Sequence, residues 1–197
     1  MILFYFGLQL FRHLSRFRFM TKSLLLPLFL LITQLSFSQS KNEELITWNE
    51  NRKLTWADYK GKIQRGSDAA ASTATYLGIE YNFGKDGFEY KITCSFSKTR
   101  SWGLHKNDYI LAHEQGHFDI AEIFARKLNK QMKEYKFDKN NFKEDLKILY
   151  QTIMKDKDDF QNKYDEETNH SINKEKQAEW LRKIEEMLSQ LKSFSDY

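Results

Sequence analysis

The apolar residues of this chain change their spacing once, near Asn107, and that change limits the fold more than any other feature. Upstream they alternate: between Thr75 and Phe83, Leu77, Ile79, Tyr81 and Phe83 are separated by Gly78, Glu80 and Asn82, the period of two that gives a strand one buried face. Gly84-Lys85-Asp86-Gly87 reads as a turn, and the alternation resumes through Tyr90, Ile92, Cys94 and Phe96, so the pair is predicted to be a β-hairpin. Cys94 falls on the buried face and reads as a core residue. Downstream, Tyr109, His113, Gly116, His117, Ile120, Phe124 and Leu128 follow helical spacing, with Asn107 as N-cap. Asn140-Asn141 interrupts this run. Phe142, Leu146, Leu149, Tyr150 and Ile153 mark a second helix, with Asn141 and Glu144 as a capping pair. A third helix starts at about Ile172 and carries Trp180, Ile184, Met187, Leu188 and Leu191 on one stripe. Strands followed by helices predict an α+β fold: an N-terminal hairpin or small antiparallel sheet packed against about three C-terminal helices. Leu54 to Tyr59 fits a short strand or a helix start equally well. The charged stretch from Lys155 to Glu167 reads as a solvated helix face and its exit loop.

The first 38 residues read as a leader. After Met20 come Thr21 and Lys22, a short apolar run from Leu24, and the small residues Ser36 and Ser38 at the end, the parts of a secretory signal peptide cleaved after Ser38. Residues 1–19 fit poorly as a second signal, which makes Met20 a candidate true start. The apolar run is shorter than the roughly 20 residues that span a bilayer, so no stable membrane anchor is expected after cleavage. The expected protein is therefore a single domain over residues 39–197, exported to the periplasm or secreted. The net charge of +4 is carried wholly by Arg12, Arg16, Arg18 and Lys22. Without them the chain is formally neutral, which removes the compositional case for nucleic-acid binding.

One cysteine in the chain excludes a disulfide framework and a thiolate zinc cluster. Any metal must be held by histidines and carboxylates. His113-Glu114-Gln115-Gly116-His117 offers a start: on a helix the two imidazoles lie about 40° apart and one turn along, within reach of one ion. Glu114, about 60° from His117, can take a proton from a metal-bound water without itself being a ligand. This is the HExxH pattern of zinc hydrolases and of zincin-like folds. The competing explanation is a buried helical stripe that happens to contain histidines. Burying two imidazoles and a carboxylate together is costly without a cation to pair them.

A catalytic zinc takes three protein ligands and water. Asp119 lies about 160° from His117 and Glu122 about 180° from His113, so neither can share the ion. His105 precedes His113 by about 12 Å of helix rise. His170, expected in a loop able to fold back over the first helix, is the predicted third ligand. Tyr164 and His105 are candidate oxyanion donors. Trp102 and Trp180 read as core aromatics.

Leu54-Thr55-Trp56-Ala57-Asp58-Tyr59-Lys60-Gly61, the Ala/Thr-rich run from Ala69 to Thr75, Ser101-Trp102, Leu111 to Glu122, and Tyr164-Asp165 to His170 with Gln177 and Trp180 together resemble the exported bacterial proteins of domain-of-unknown-function family 922. The resemblance implies a zinc-dependent protease with His113 and His117 as ligands, Glu114 as catalytic base and His170 as third ligand. Ser171 departs from the pattern, where glycine is usual after that histidine; a serine there also suits an N-cap. The expected function is an exported zinc-dependent metallohydrolase, a peptidase with one zinc per chain acting on a peptide or protein substrate. The alternative is an exported binding or scaffold protein with a structural or vestigial metal site.

Overall fold

The structure is a computed structural model and describes residues 43–197 apart from Asp68 and Asp86. The expected leader over residues 1–38 lies outside the described residues. Five strands precede three helices: β1 (Leu45–Thr47), β2 (Ala71–Ser72), β3 (Thr75–Gly84), β4 (Gly87–Ser97), β5 (Trp102–Gly103), α1 (Asp108–Glu134), α2 (Phe142–Thr168) and α3 (Lys174–Gln190). The α+β layout is the one the change of period implies.

The strands β3 and β4 form the hairpin in the register their alternation dictates. Leu77 pairs with Cys94, Ile79 with Ile92, Tyr81 with Tyr90 and Phe83 with Phe88. A slip of one residue would turn this whole apolar set to the other face, so the pattern itself fixes the pairing. The hairpin closes at Gly84 and Gly87, and Gly87 has φ of +111°, a conformation open to glycine and strained for other residues. Strand β1 adds to β4, giving an antiparallel sheet of order β1-β4-β3, and β2 pairs separately with β5. Leu54 to Tyr59 resolves into a 3-10 turn over Trp56–Asp58, tied by Asp58 to the backbone and hydroxyl of Thr55.

Helix α1 is the centre of the molecule. Ile120, Ala121, Ile123, Ala125 and Leu128 have no exposed surface although they point in different directions around the axis, so the helix is wrapped on all sides. Strands β3 and β4 and helices α2 and α3 supply that wrapping. Cys94, Trp102 and Trp180 are all buried, as the apolar pattern predicts.

Two helix boundaries and one cap differ from the expected ones. Asn107 caps α1 by accepting from the Ile110 N–H, as expected. Asn141 makes no such cap; its amide donates to Asp138, which also receives the Asn140 N–H, so an aspartate three residues upstream organises the turn. Helix α3 starts at Lys174, with Asn173 as its N-cap, two residues later than Ile172 and leaving Ser171 in the turn. The stretch Lys155 to Glu167 contains no exit loop, because α2 continues to Thr168.

Candidate metal centre

The site lies where α1 and α2 pack together. His113 and His117, one turn apart on α1, are both buried. Helix α2 places Gln161, Tyr164 and Asp165 opposite them, residues that share one helical face through their spacing of three and four. Oδ1 of Asp165 stands 3.1 Å from Nε2 of His113 and 3.0 Å from Nε2 of His117. One ligand atom from each of these three residues lies within 4.8 Å of the others. Nδ1 of His117 is 2.9 Å from Oε1 of Gln161.

Tyr164 forms the back wall. Its ring stacks on His113 at 4.5 Å between centroids and meets His117 edge-on at 5.1 Å. Its hydroxyl donates to the His113 carbonyl at 3.2 Å. That hydroxyl explains the glycine in the motif: a Cβ on Gly116 would come within 2.6 Å of it. A glycine inside a helix costs about 1 kcal/mol against alanine, and here it permits the tyrosine to seat under both imidazoles.

The electrostatics favour a cation. Burial works against ionisation of Asp165, yet its bonds with His113 and His117 outweigh burial and hold the carboxyl far below the usual range. Burial likewise disfavours protonated His117, but Asp165, Glu114 and Gln161 reverse the balance and raise its pKa. The neighbourhood also leaves buried polar atoms unsatisfied: among the described residues, Nδ1 of His113, Oε2 of Glu114, Nε2 of Gln161, the Tyr109 hydroxyl and Oε1 of Gln177 have no hydrogen-bond partner. Tyr109 is one turn before His113, and Gln177 donates to its carbonyl at 3.0 Å. Such orphans are uncommon in folded proteins, and each calls for an explanation.

Helix α1 carries His113, Glu114 and His117, all three buried, and the two histidines form a group with Asp165. The structure places His170 beside the group, outside the three ligand atoms: its side chain is 71% exposed, with Nδ1 3.8 Å from Oδ1 of Asp165. His170 sits in the short turn from Asn169 to Asn173 that connects α2 to α3, with most of its side chain in solvent. His170 instead lines an open cleft of about 900 Å³ with Ala70, Tyr109, Ile110, Ile172 and Lys174. His105 is exposed in the segment before α1. Tyr164 is fully buried with its hydroxyl engaged on the His113 carbonyl, so it braces the histidines from behind. Asp165 and Gln161 were not singled out by the sequence as site residues. The signal they carry is their one-turn spacing, obscured by the charges around them.

The fold and site together define an α+β protein with a buried His-His-Asp group able to hold one metal ion. Residues 47–171 match the family model described as "Bacterial protein of unknown function (DUF922)", and the chain belongs to that family. No curated protein and no solved structure matches it.

Proposed function

We propose that this protein is an exported zinc-dependent metallohydrolase, specifically a peptidase, in which His113, His117 and Asp165 hold one zinc per chain and Glu114 is the general base. The observation that carries the reading is the buried His-His-Asp group with the unpartnered Oε2 of Glu114 next to the first histidine. Two imidazoles and a carboxylate are a donor set that zinc accepts, and three protein ligands leave a coordination position open. Ligand atoms sharing one zinc stand about 3.3 Å apart, close to the 3.0 and 3.1 Å separations found here. Asp165 is the third ligand favoured by the geometry; His170 lies near enough to compete only if its turn rearranges.

When bound, the metal supplies a Lewis acid for the scissile carbonyl and for water. The protein's residues do the rest. Asp165 and the two imidazoles orient the ion, and Tyr164 holds the His113 ring in place. Glu114 accepts a proton from the attacking water and passes it to the leaving amine nitrogen. The adjoining cleft gives an extended peptide room to approach from the His170 side. Export rests on the composition of residues 20–38. No helix among the described residues is long and apolar enough to cross a membrane.

Metal analysis of the purified protein should find about one zinc per chain, and a peptide-library digest should show cleavage that Glu114→Gln abolishes while keeping the zinc. Protein that takes up no zinc overturns the site. Zinc bound with cleavage equal in both proteins overturns the base, and zinc bound with no cleavage by either favours the binding or scaffold alternative.

A further inference from the structure

The two imidazoles of the site are held in different ways. His113 has no partner for Nδ1 among the described residues, and its ring is held by stacking on Tyr164. His117 has a partner on each ring nitrogen: Asp165 at Nε2 and Gln161 at Nδ1. A neutral imidazole carries one N–H, and its position decides which nitrogen can ligate. An amide oxygen only accepts, so Oε1 of Gln161 at 2.9 Å takes a proton on Nδ1 of His117; the Asp165 carboxylate also only accepts, so the proton its 3.0 Å contact calls for on Nε2 is the one an ion between them would replace. The other tautomer would aim an N–H from Nε2 into the site and remove the lone pair a metal needs.

We propose that Gln161 is the positioning residue of this centre: it fixes the His117 tautomer and ring angle so that Nε2 is presented to the ion. The inference rests on the metal reading above and assigns a role to a residue outside the motif. Gln161 and Asp165 are one turn apart on α2, so a single helical face supplies both a ligand and the group that orients another. The choice of an amide also has a consequence. Asp165 and Glu114 already bring two carboxyl groups to the centre, and a neutral acceptor orients His117 without adding a third. Nε2 of Gln161 is buried and unpartnered, which purely structural packing would not favour.

The test compares Gln161→Leu and Gln161→Glu with the wild type, using zinc titration, the visible spectrum of the cobalt-loaded protein and the melting temperature of the metal-free protein. Loss of a group that orients a ligand histidine typically weakens metal affinity about 10–100-fold. Gln161→Leu is expected to show that loss and an altered cobalt spectrum, with metal-free melting lowered only slightly, as for one lost hydrogen bond. Gln161→Glu, which keeps an acceptor at the same place, is expected to bind zinc at least as tightly as the wild type. Equal zinc affinity in Gln161→Leu overturns the proposal, as does Gln161→Glu binding as weakly as Gln161→Leu. A wild type that binds no zinc is a separate failure and overturns the metal reading itself.

Discussion

Helix α1 carries two buried polar groups that differ in one respect. Along its middle and C-terminal half, Asp119 accepts from Nε1 of Trp48 at 2.7 Å and from Nε2 of Gln115 at 2.9 Å. Glu122 accepts from Nε of Arg126 at 2.8 Å and from the Tyr197 hydroxyl. Arg126 also donates to the Leu188 carbonyl, and Asn129 joins Tyr90 to the Phe194 carbonyl. None of these side chains leaves a buried polar atom without a partner. Two turns toward the N-terminus, the motif and its neighbours leave five. Three of the five belong to α1 itself, so the helix alone does not account for the difference. The closed network uses its polar atoms on the chain itself, and the open one leaves them without a partner, as the proposed metal centre requires.

The comparison breaks most visibly at Arg126. Arg126→Met removes the cation beside Glu122, a carboxyl that is 2% exposed and whose pKa burial already raises despite its hydrogen bonds. Removing one member of a buried pair costs about 3–5 kcal/mol, to be read as a lowered urea midpoint, while the folded fraction should bind zinc as before. Asp165→Asn should do the reverse. Metal-free stability should fall by only about 1 kcal/mol for the lost hydrogen bonds, because the Asp165 side chain is partly exposed, and zinc affinity should fall by about 100-fold or more. His170→Ala, by contrast, should bind zinc almost normally. If Arg126→Met abolished zinc binding or Asp165→Asn unfolded the protein, the division into closed and open networks would be wrong.

The same division separates what was legible in the sequence from what was not. The hairpin register was legible because alternation is local and a slip exposes the whole apolar face. The histidine pair was legible because a helix fixes the relation of residues four apart. The place of Asp165 beside the two histidines depends on how α2 is rotated and shifted against α1, which no local spacing encodes. Its neighbourhood also misled: Lys155, Asp158, Asp159 and Lys163 point outward on the helix whose inner face carries Gln161, Tyr164 and Asp165. A charge-rich stretch therefore read as solvated although one face of it is buried against the site. The α2 start was legible, but its capping bond was not. Asn141 and Glu144 have capping-box spacing, but Asp138 had already taken the turn.

A smaller effect is expected at Gly116, where the motif meets its back wall. Alanine is the better helix former by about 1 kcal/mol. Its Cβ, however, would lie 2.6 Å from the Tyr164 hydroxyl and 3.0 Å from the ring carbon bearing it, and Tyr164 has no exposed surface into which to retreat. Overpacking of this kind costs about 1–3 kcal/mol, so Gly116→Ala should destabilise on balance and, by displacing the ring under both imidazoles, weaken zinc binding. Adding Tyr164→Phe removes the nearest atom and should recover part of both losses. No recovery in the double variant would show that Tyr164 is not what makes glycine necessary.

The smallest effect should come from the turn that carries His170, and it has the opposite sign. Asn169, His170 and Ser171 have φ of +48°, +49° and +72°, a left-handed run that lets the chain reverse within a few residues and start α3 close to α1. Asparagine tolerates this conformation, but serine is strained there. Glycine would relieve the strain but adds freedom to the unfolded chain, which offsets roughly half the gain. Ser171→Gly should therefore raise stability by about 0.5 kcal/mol, seen as a small rise in melting temperature. Zinc affinity should stay the same, because Asp165 is anchored inside α2 and does not depend on how the turn beyond it is strained. If Ser171→Gly weakened zinc binding, the turn would belong to the metal centre after all, and His170 would return as the residue through which it acts.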